Sequence, residues 1–278
     1  MATTRTYQDV LRERGPLTGY RVVKVERADG ILTLTLNEPE SLNSYSARMT
    51  GELRRALGEA AEDPDVRVVI LTGAGKAFSA GGDMRMMRAG DLPPAELHEF
   101  VRVEFGGIIH GIAAMDKPVI AAVNGYAMGV ACFTVLACDL VVLSERARLG
   151  TAYIHLGLSP LGVGYLLAKA VGYARAYELC ALGDVLDARR AEALGLVNRV
   201  VTHERLMDEA RALATRLAQG PPRALGFTKR LLRQAVQADL DEHLAAGEAI
   251  QPLLLWTDDH KEAVSAFGEK RPPRFTGR

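Results

Sequence analysis

Residues 68–84 read VVILTGAGKAFSAGGDM and residues 118–133 read PVIAAVNGYAMGVACF. Each stretch opens with an apolar run, at 68–72 and 118–124, that is short and rich in β-branched residues. That pattern suits a strand covered on both faces. Each run continues into a glycine-rich turn, and the second turn leads into a helical stretch at 129–138. Such a turn has two readings. The glycines either permit a tight turn and nothing more, or let backbone N–H groups approach a ligand. Two such turns from neighbouring strands can aim two N–H groups at one oxygen, an oxyanion hole in which each donor is worth roughly 2.7–4 kcal/mol of barrier. Nucleotide motifs do not account for the glycines. GAGK at 73–76 lacks the spacing of a P-loop, and no GxGxxG opens a helix with an acid about twenty residues later.

Working outward, strands are expected at 20–26 and 31–37, joined by Ala28-Asp29-Gly30, whose Asp-Gly pair signals a hairpin. A helix is expected at 46–61, with Leu53, Ala56, Leu57 and Ala60 on one face. A second is expected at 95–115, with the stripe Val101, Phe105, Ile108, Ile112 and Met115. A short strand follows at 140–143. Beyond residue 158 the pattern is helical, at 163–171, 174–182, 188–194, 204–219 and in at least two pieces over 222–267. Strands alternating with helices before a helical tail define an α/β core. The division expected is a polar, loosely attached arm at 1–19, a core at 20–205, and a C-terminal helical oligomerisation region at 206–278.

Lys+Arg and Asp+Glu balance at 34 each, so there is no general pull toward nucleic acid or an anionic membrane. No apolar run approaches 18 residues, and the N-terminus has no hydrophobic signal core. The cysteines Cys132, Cys138 and Cys180 form no CxxC and are read as reduced and mostly buried. A cytoplasmic location is expected.

The ordered segments LNEPESLNSYS (36–46), DPDVRVVILTGAGKAFSAGGDM (63–84), KPVIAAVNGYAMG (117–129) and AFGEKRPPRFTGR (266–278) resemble those of the crotonase (enoyl-CoA hydratase/isomerase) superfamily. The resemblance runs from about residue 20 to 278. It implies a spiral of ββα units, a homotrimer or homohexamer built by the C-terminal helices, and an acyl-CoA substrate with no separate cofactor or metal. It also implies that the N–H groups of Gly82 and Val130 form the oxyanion hole. Contacts to CoA are implied at Ser41, Leu42 and Asn43, at Arg85, and at Phe267 and Lys270. Asp83 is expected to cap the turn that follows it.

The same resemblance exposes a departure. The two glutamates of the hydratases fall on Phe133 and Tyr153, and neither is a carboxylate. TAYIHLGLSPLG (151–162) most resembles the Δ3,Δ2-enoyl-CoA isomerase branch, yet the acid that follows the proline there is Leu161 here. Tyr153 either donates a hydrogen bond to the acyl group or serves as an aromatic wall. His155 shares its side if the segment is extended. His110 is either a functional histidine or a structural one, and Tyr126 and Cys132 are read as packing. The function expected is an enzyme that stabilises a thioester enolate without the two-glutamate apparatus. A decarboxylase, a C–C lyase, a non-catalytic acyl-CoA binder and a scaffold subunit remain as alternatives.

Overall fold

A computed structural model describes residues 5–86 and 92–278. The chain opens with helix α1 (Tyr7–Arg14). The hairpin β1 (Val23–Ala28) and β2 (Ile31–Leu36) follows, antiparallel and closed at Asp29-Gly30, both at positive φ. Helix α2 (Ala47–Glu62) starts at Ser46, whose side chain accepts the Met49 N–H. Then come β3 (Val68–Gly73), β4 (Ala77–Ser79), α3 (Pro94–Phe100), a π-helical turn (Val101–Gly106) and α4 (Gly107–Ala114). After β5 (Val119–Val123) and β6 (Tyr126–Met128), α5 (Val130–Ala137) leads to β7 (Leu140–Ser144) and β8 (Arg148–Gly150). The remaining elements are α6 (Val163–Val171), α7 (Tyr173–Leu182), β9 (Val185–Asp187), α8 (Ala188–Ala193), β10 (Arg199–Val201), α9 (Leu206–Ala218), α10 (Pro222–Ala235), α11 (Leu240–Leu255) and α12 (Asp258–Glu269).

Among the described residues the strands form two sheets, ordered β1-β2-β3-β5-β7-β10 and β4-β6-β8-β9. Each successive pair, β3-β4, β5-β6 and β7-β8, gives one strand to each sheet before a helix returns the chain. This is the expected spiral of ββα units. All neighbours within β2-β3-β5-β7-β10 and β4-β6-β8 are parallel. The apolar run of β3 is buried on both faces, as its sequence requires. Val69 and Leu71 join the large core under α2, α4 and α5, while Val68 and Ile70 pack with Leu206, Ala210 and Leu213 of α9.

Two local expectations change. Of the arm expected at 1–19, the described residues 5–19 are not loosely attached, because Tyr7 and Val10 of α1 are buried in the core. Two apolar residues three apart suffice to seat one face of this otherwise polar helix. Arg48 binds the Arg14 carbonyl, and Glu52 Oε2 accepts the N–H groups of Arg21, Val22 and Val23 at 2.8, 2.8 and 3.1 Å, so α2 holds the end of α1 and the entry to β1. The single helix expected at 95–115 is interrupted by the π turn, although Phe105, Ile108, Ile112 and Met115 of its stripe are buried. The C-terminal tail folds back so that Asp259 accepts the N–H groups of Thr276 and Gly277, and Arg67 donates to the Phe275 carbonyl at 2.8 Å.

Helix α11 buries no residue in this chain, although it is apolar enough to fill a core. Leu240, Leu253 and Trp256 stand 69%, 61% and 83% exposed, beside Phe267 of α12 at 87%. Among the described residues no helix is long and apolar enough to cross a membrane.

Candidate functional site

The two glycine-rich segments meet. Strands β4 and β6 pair in parallel, bringing Ala77 opposite Tyr126 and Ser79 opposite Ala127. Just past them Gly81 has φ +92°, and a Cβ there would fall 2.5 Å from the Met128 carbonyl oxygen. Only glycine permits that approach. The sequence reading that the glycines merely allow tight turns is therefore too weak, since Gly81 sets the distance between the two loops.

Tyr45 orients the first loop. Its N–H donates to the Gly81 carbonyl at 2.7 Å and its carbonyl accepts the Asp83 N–H at 3.4 Å. In such a parallel bridge the groups of the middle residue, Gly82, point away from Tyr45. Val130 opens α5, so its N–H has no carbonyl one turn back, and Gly129 provides no capping side chain. Two backbone donors thus stand on abutting loops, the second at a helix N-terminus where the dipole favours negative charge. Tyr45 also ties the loops together. It is fully buried, and its hydroxyl donates to Thr134 Oγ1 at 3.1 Å, which in turn donates to the Val130 carbonyl at 3.0 Å. Sequence reading missed this residue, because an aromatic in SLNSYS shows nothing of a partner 89 positions away.

Tyr153 is delivered to the same place by β8, the parallel neighbour of β6. Its ring carbon Cζ lies 3.9 Å from where a Gly129 Cβ would be. The phenol oxygen is buried and finds no hydrogen-bond partner among the described residues. Burial pushes the phenol above its usual pKa range, so at neutral pH it is a donor. His155 does not share its side. The segment is a 3₁₀ turn (Tyr153–Leu156), not a strand, and the exposed imidazole lies against Gly183. Phe133 points at the next loop, where a Cβ on Gly162 would fall 2.4 Å from its ring tip. Leu161 beside it is 43% exposed. The three positions that lack acids thus present an aromatic edge, one phenol and a leucine.

Among the described residues the four buried carboxylates are already engaged. The buried Glu52, Asp83, Glu104 and Asp259 all accept hydrogen bonds from neighbouring groups. Asp83 takes the Arg85 N–H at 2.9 Å and the Arg85 guanidinium at 2.7–3.1 Å, which holds its carboxyl below the usual range. It caps its turn, as expected. Arg85 keeps a side chain 75% exposed, with room for a second anion.

The remaining expected residues divide. Ser41, Leu42 and Asn43 form a turn with Leu42 and Asn43 at positive φ, and the Leu42 carbonyl accepts the Ala80 N–H at 2.9 Å. This places the turn beside the first loop. Asn43 is a buried clamp, its amide donating to the carbonyls of Ala74 and Ala77 at 2.9 Å each. Phe267 and Lys270 face solvent in this chain. His110 is exposed on α4 while Ile108 and Ile112 point inward. Cys132 is buried, its thiol pushed up to about 12 by desolvation, but Tyr126 is 51% exposed and is not core packing. A cavity of about 590 Å³ lies at the starting ends of β3 and β5. Its Arg67, Lys117 and Arg230 are bound to the Phe275 carbonyl, the Ala60 carbonyl and Asp116.

Comparison with known proteins places the chain and its fold. A family model described as enoyl-CoA hydratase/isomerase matches residues 26–278. The 1,2-epoxyphenylacetyl-CoA isomerase of Escherichia coli is 38% identical over 251 residues, covering 90% of this chain and 96% of that protein. The 2,3-dehydroadipyl-CoA hydratase of Escherichia coli is 36% identical over 255 residues, covering 91% and 98%. An enoyl-CoA hydratase subunit I crystal structure from Geobacillus kaustophilus superposes with a TM-score of 0.88 at 36% identity, covering 93% of this chain and 99% of that one.

Proposed function

Because the chain belongs to the enoyl-CoA hydratase/isomerase family, we propose that it processes an acyl-CoA by stabilising the thioester enolate between the N–H groups of Gly82 and Val130, and that it is not a two-glutamate hydratase. The observation that carries this reading is the pair of abutting loops beside a buried phenol that has no partner among the described residues, with no carboxylate at Phe133, Tyr153 or Leu161. The names of the relatives support an acyl-CoA substrate. In an enolate the negative charge collects on the thioester oxygen, where two preorganised donors stabilise it more than the neutral carbonyl. Tyr153, protonated at neutral pH, donates a hydrogen bond to the acyl group or to a departing substituent.

Chemistry that makes an enolate without a carboxylate base fits this site best. Loss of carbon dioxide from a 2-carboxyacyl thioester is such a step. The breaking C–C bond leaves its electron pair on the α-carbon and thioester oxygen, and a proton then returns to the α-carbon. Arg85 beside the Ser41–Asn43 turn would meet a CoA phosphate with the part of its guanidinium that Asp83 leaves free. The exposed apolar face of α11 supports a homotrimer or homohexamer.

The test is turnover of an acyl-CoA panel containing crotonyl-CoA, 3-enoyl-CoA and 2-carboxyacyl-CoA esters, with Gly82→Pro beside the wild type. Removing one donor is expected to reduce turnover about a hundredfold or more. Hydration of crotonyl-CoA is expected to be poor, since each missing acid–base group is worth roughly 10²–10⁴-fold. Efficient hydration at about 10⁶ M⁻¹s⁻¹ in kcat/KM, or a folded Gly82→Pro variant with full turnover, would overturn the proposal. Tight acyl-CoA binding with no turnover of any ester would select a non-catalytic binder.

A further inference from the structure

Helix α1 precedes the stretch that the family model matches, yet it completes a buried polar cluster. At the centre is Glu104 in the π turn, with no solvent exposure. Tyr7 Oη donates to its Oε1 at 2.7 Å and Thr50 Oγ1 to its Oε2 at 2.7 Å. Arg14 and Arg54 each approach Oε1 at 3.4 Å. Two helical glycines make room for these arginines. A Cβ at Gly51 would fall 2.8 Å from Arg14 Nη1, and one at Gly107 would fall 2.6 Å from Arg54 Cδ. Glycine inside a helix is less stable than alanine, so the sequence gives up helix stability to admit the two side chains. The π turn is a further departure from regular helix, of the kind often found at functional sites.

The cluster leads toward the thioester site. Thr50 lies in the first turn of α2, and its N–H donates to the Ser46 carbonyl at 2.9 Å. The residue before Ser46 is Tyr45, whose backbone brackets Gly82 and whose hydroxyl reaches Thr134 on α5. Both Glu104 oxygens are occupied by donors, so it is no base for the reaction.

We infer that Glu104 is a positioning residue. Through Thr50 it holds the start of α2, and so Tyr45 and the Gly82 N–H, in register with α5, and Tyr7 and Arg14 of α1 complete the clamp. The role in ligand binding rests on the Gly82–Val130 reading above, whereas the coupling to Tyr45 can be measured without it.

The experiment compares wild type, Tyr7→Phe and Glu104→Gln by titration with acetoacetyl-CoA, which readily presents an enolate oxygen, and with CoA alone, which has none. Amide hydrogen exchange at Tyr45 and Asp83 is read in the same samples. Tyr7→Phe is expected to weaken acetoacetyl-CoA binding about tenfold with CoA binding unchanged, and to speed exchange at both amides, as mutations along a coupled network do. Glu104→Gln should do more. A lowered melting temperature with unchanged exchange at Tyr45 and Asp83 and an unchanged affinity ratio would reduce the cluster to a structural strut and overturn the inference. If wild type binds acetoacetyl-CoA no better than CoA, the thioester reading fails, and the exchange rates alone decide the coupling. Should Glu104→Gln not fold, Tyr7→Phe, which removes one oxygen, carries the test.

Discussion

Replacing Tyr153 by phenylalanine should make the protein more stable and less able to handle its substrate. The phenol oxygen is buried without a partner among the described residues. A buried hydroxyl that has lost water without gaining a hydrogen bond costs about 1–3 kcal/mol. Phenylalanine fills the same volume, so no cavity penalty offsets the gain. The residue is still 8% exposed, which favours the lower end, about 1 kcal/mol of stabilisation. For 278 residues an unfolding entropy of about 2.1 cal/mol/K per residue gives about 0.6 kcal/mol/K, so Tm should rise by about 2 °C. Acyl-CoA turnover should fall about tenfold or more, because the proposed donor to the acyl group is gone. Tyr45→Phe supplies the control with the opposite sign. Its hydroxyl is paired to Thr134, so its loss should destabilise by about 1 kcal/mol. The assays are thermal and urea unfolding of both variants, with turnover of the preferred ester. A Tyr153→Phe variant that melts lower would show that the hydroxyl is already satisfied. One with unchanged turnover would remove Tyr153 from the chemistry.

Gly162→Ala puts a methyl 2.4 Å from the Phe133 ring tip and should destabilise by about 1–3 kcal/mol through overpacking, with Phe133→Leu restoring most of it; failure of the rescue in urea unfolding would deny the contact. The Arg85 guanidinium lowers the Asp83 pKa in the folded state, so its contribution to stability is present above the unfolded value of about 3.9 and is lost as pH falls through the folded one. Asp83→Asn should therefore be less stable than wild type at pH 5–7, with the gap closing in acid; a gap independent of pH would contradict the assignment. With Trp256 and Phe267 at 83% and 87% exposure, sedimentation at micromolar concentration should give a trimer or hexamer, and Trp256→Glu should shift it toward smaller species. A wild-type monomer would count against the oligomer.

What the sequence determined by itself was whatever depends on local pattern or on residue identity. The runs at 68–72 and 118–124 had to be strands buried on both faces, because they offer no polar side for solvent. The Asp29-Gly30 hairpin and the Ser46 helix start are likewise set by neighbours in the chain. That Phe133, Tyr153 and Leu161 are not carboxylates was legible for a different reason, since no folding event changes the identity of a side chain. The tertiary structure alone decided how groups far apart in the chain meet. Gly81 against Met128, Phe133 against Gly162, and Tyr45 bracketing Gly82 while holding Thr134 are contacts between separate elements. His155 fell away from Tyr153 because the segment is a 3₁₀ turn, which lacks the two-residue alternation of an extended one. Helix α1 reads as a polar tail until Tyr7 finds Glu104, 97 positions away. Periodicity is a property of neighbouring residues, but a buried polar atom needs one particular partner, and only the folded chain supplies it.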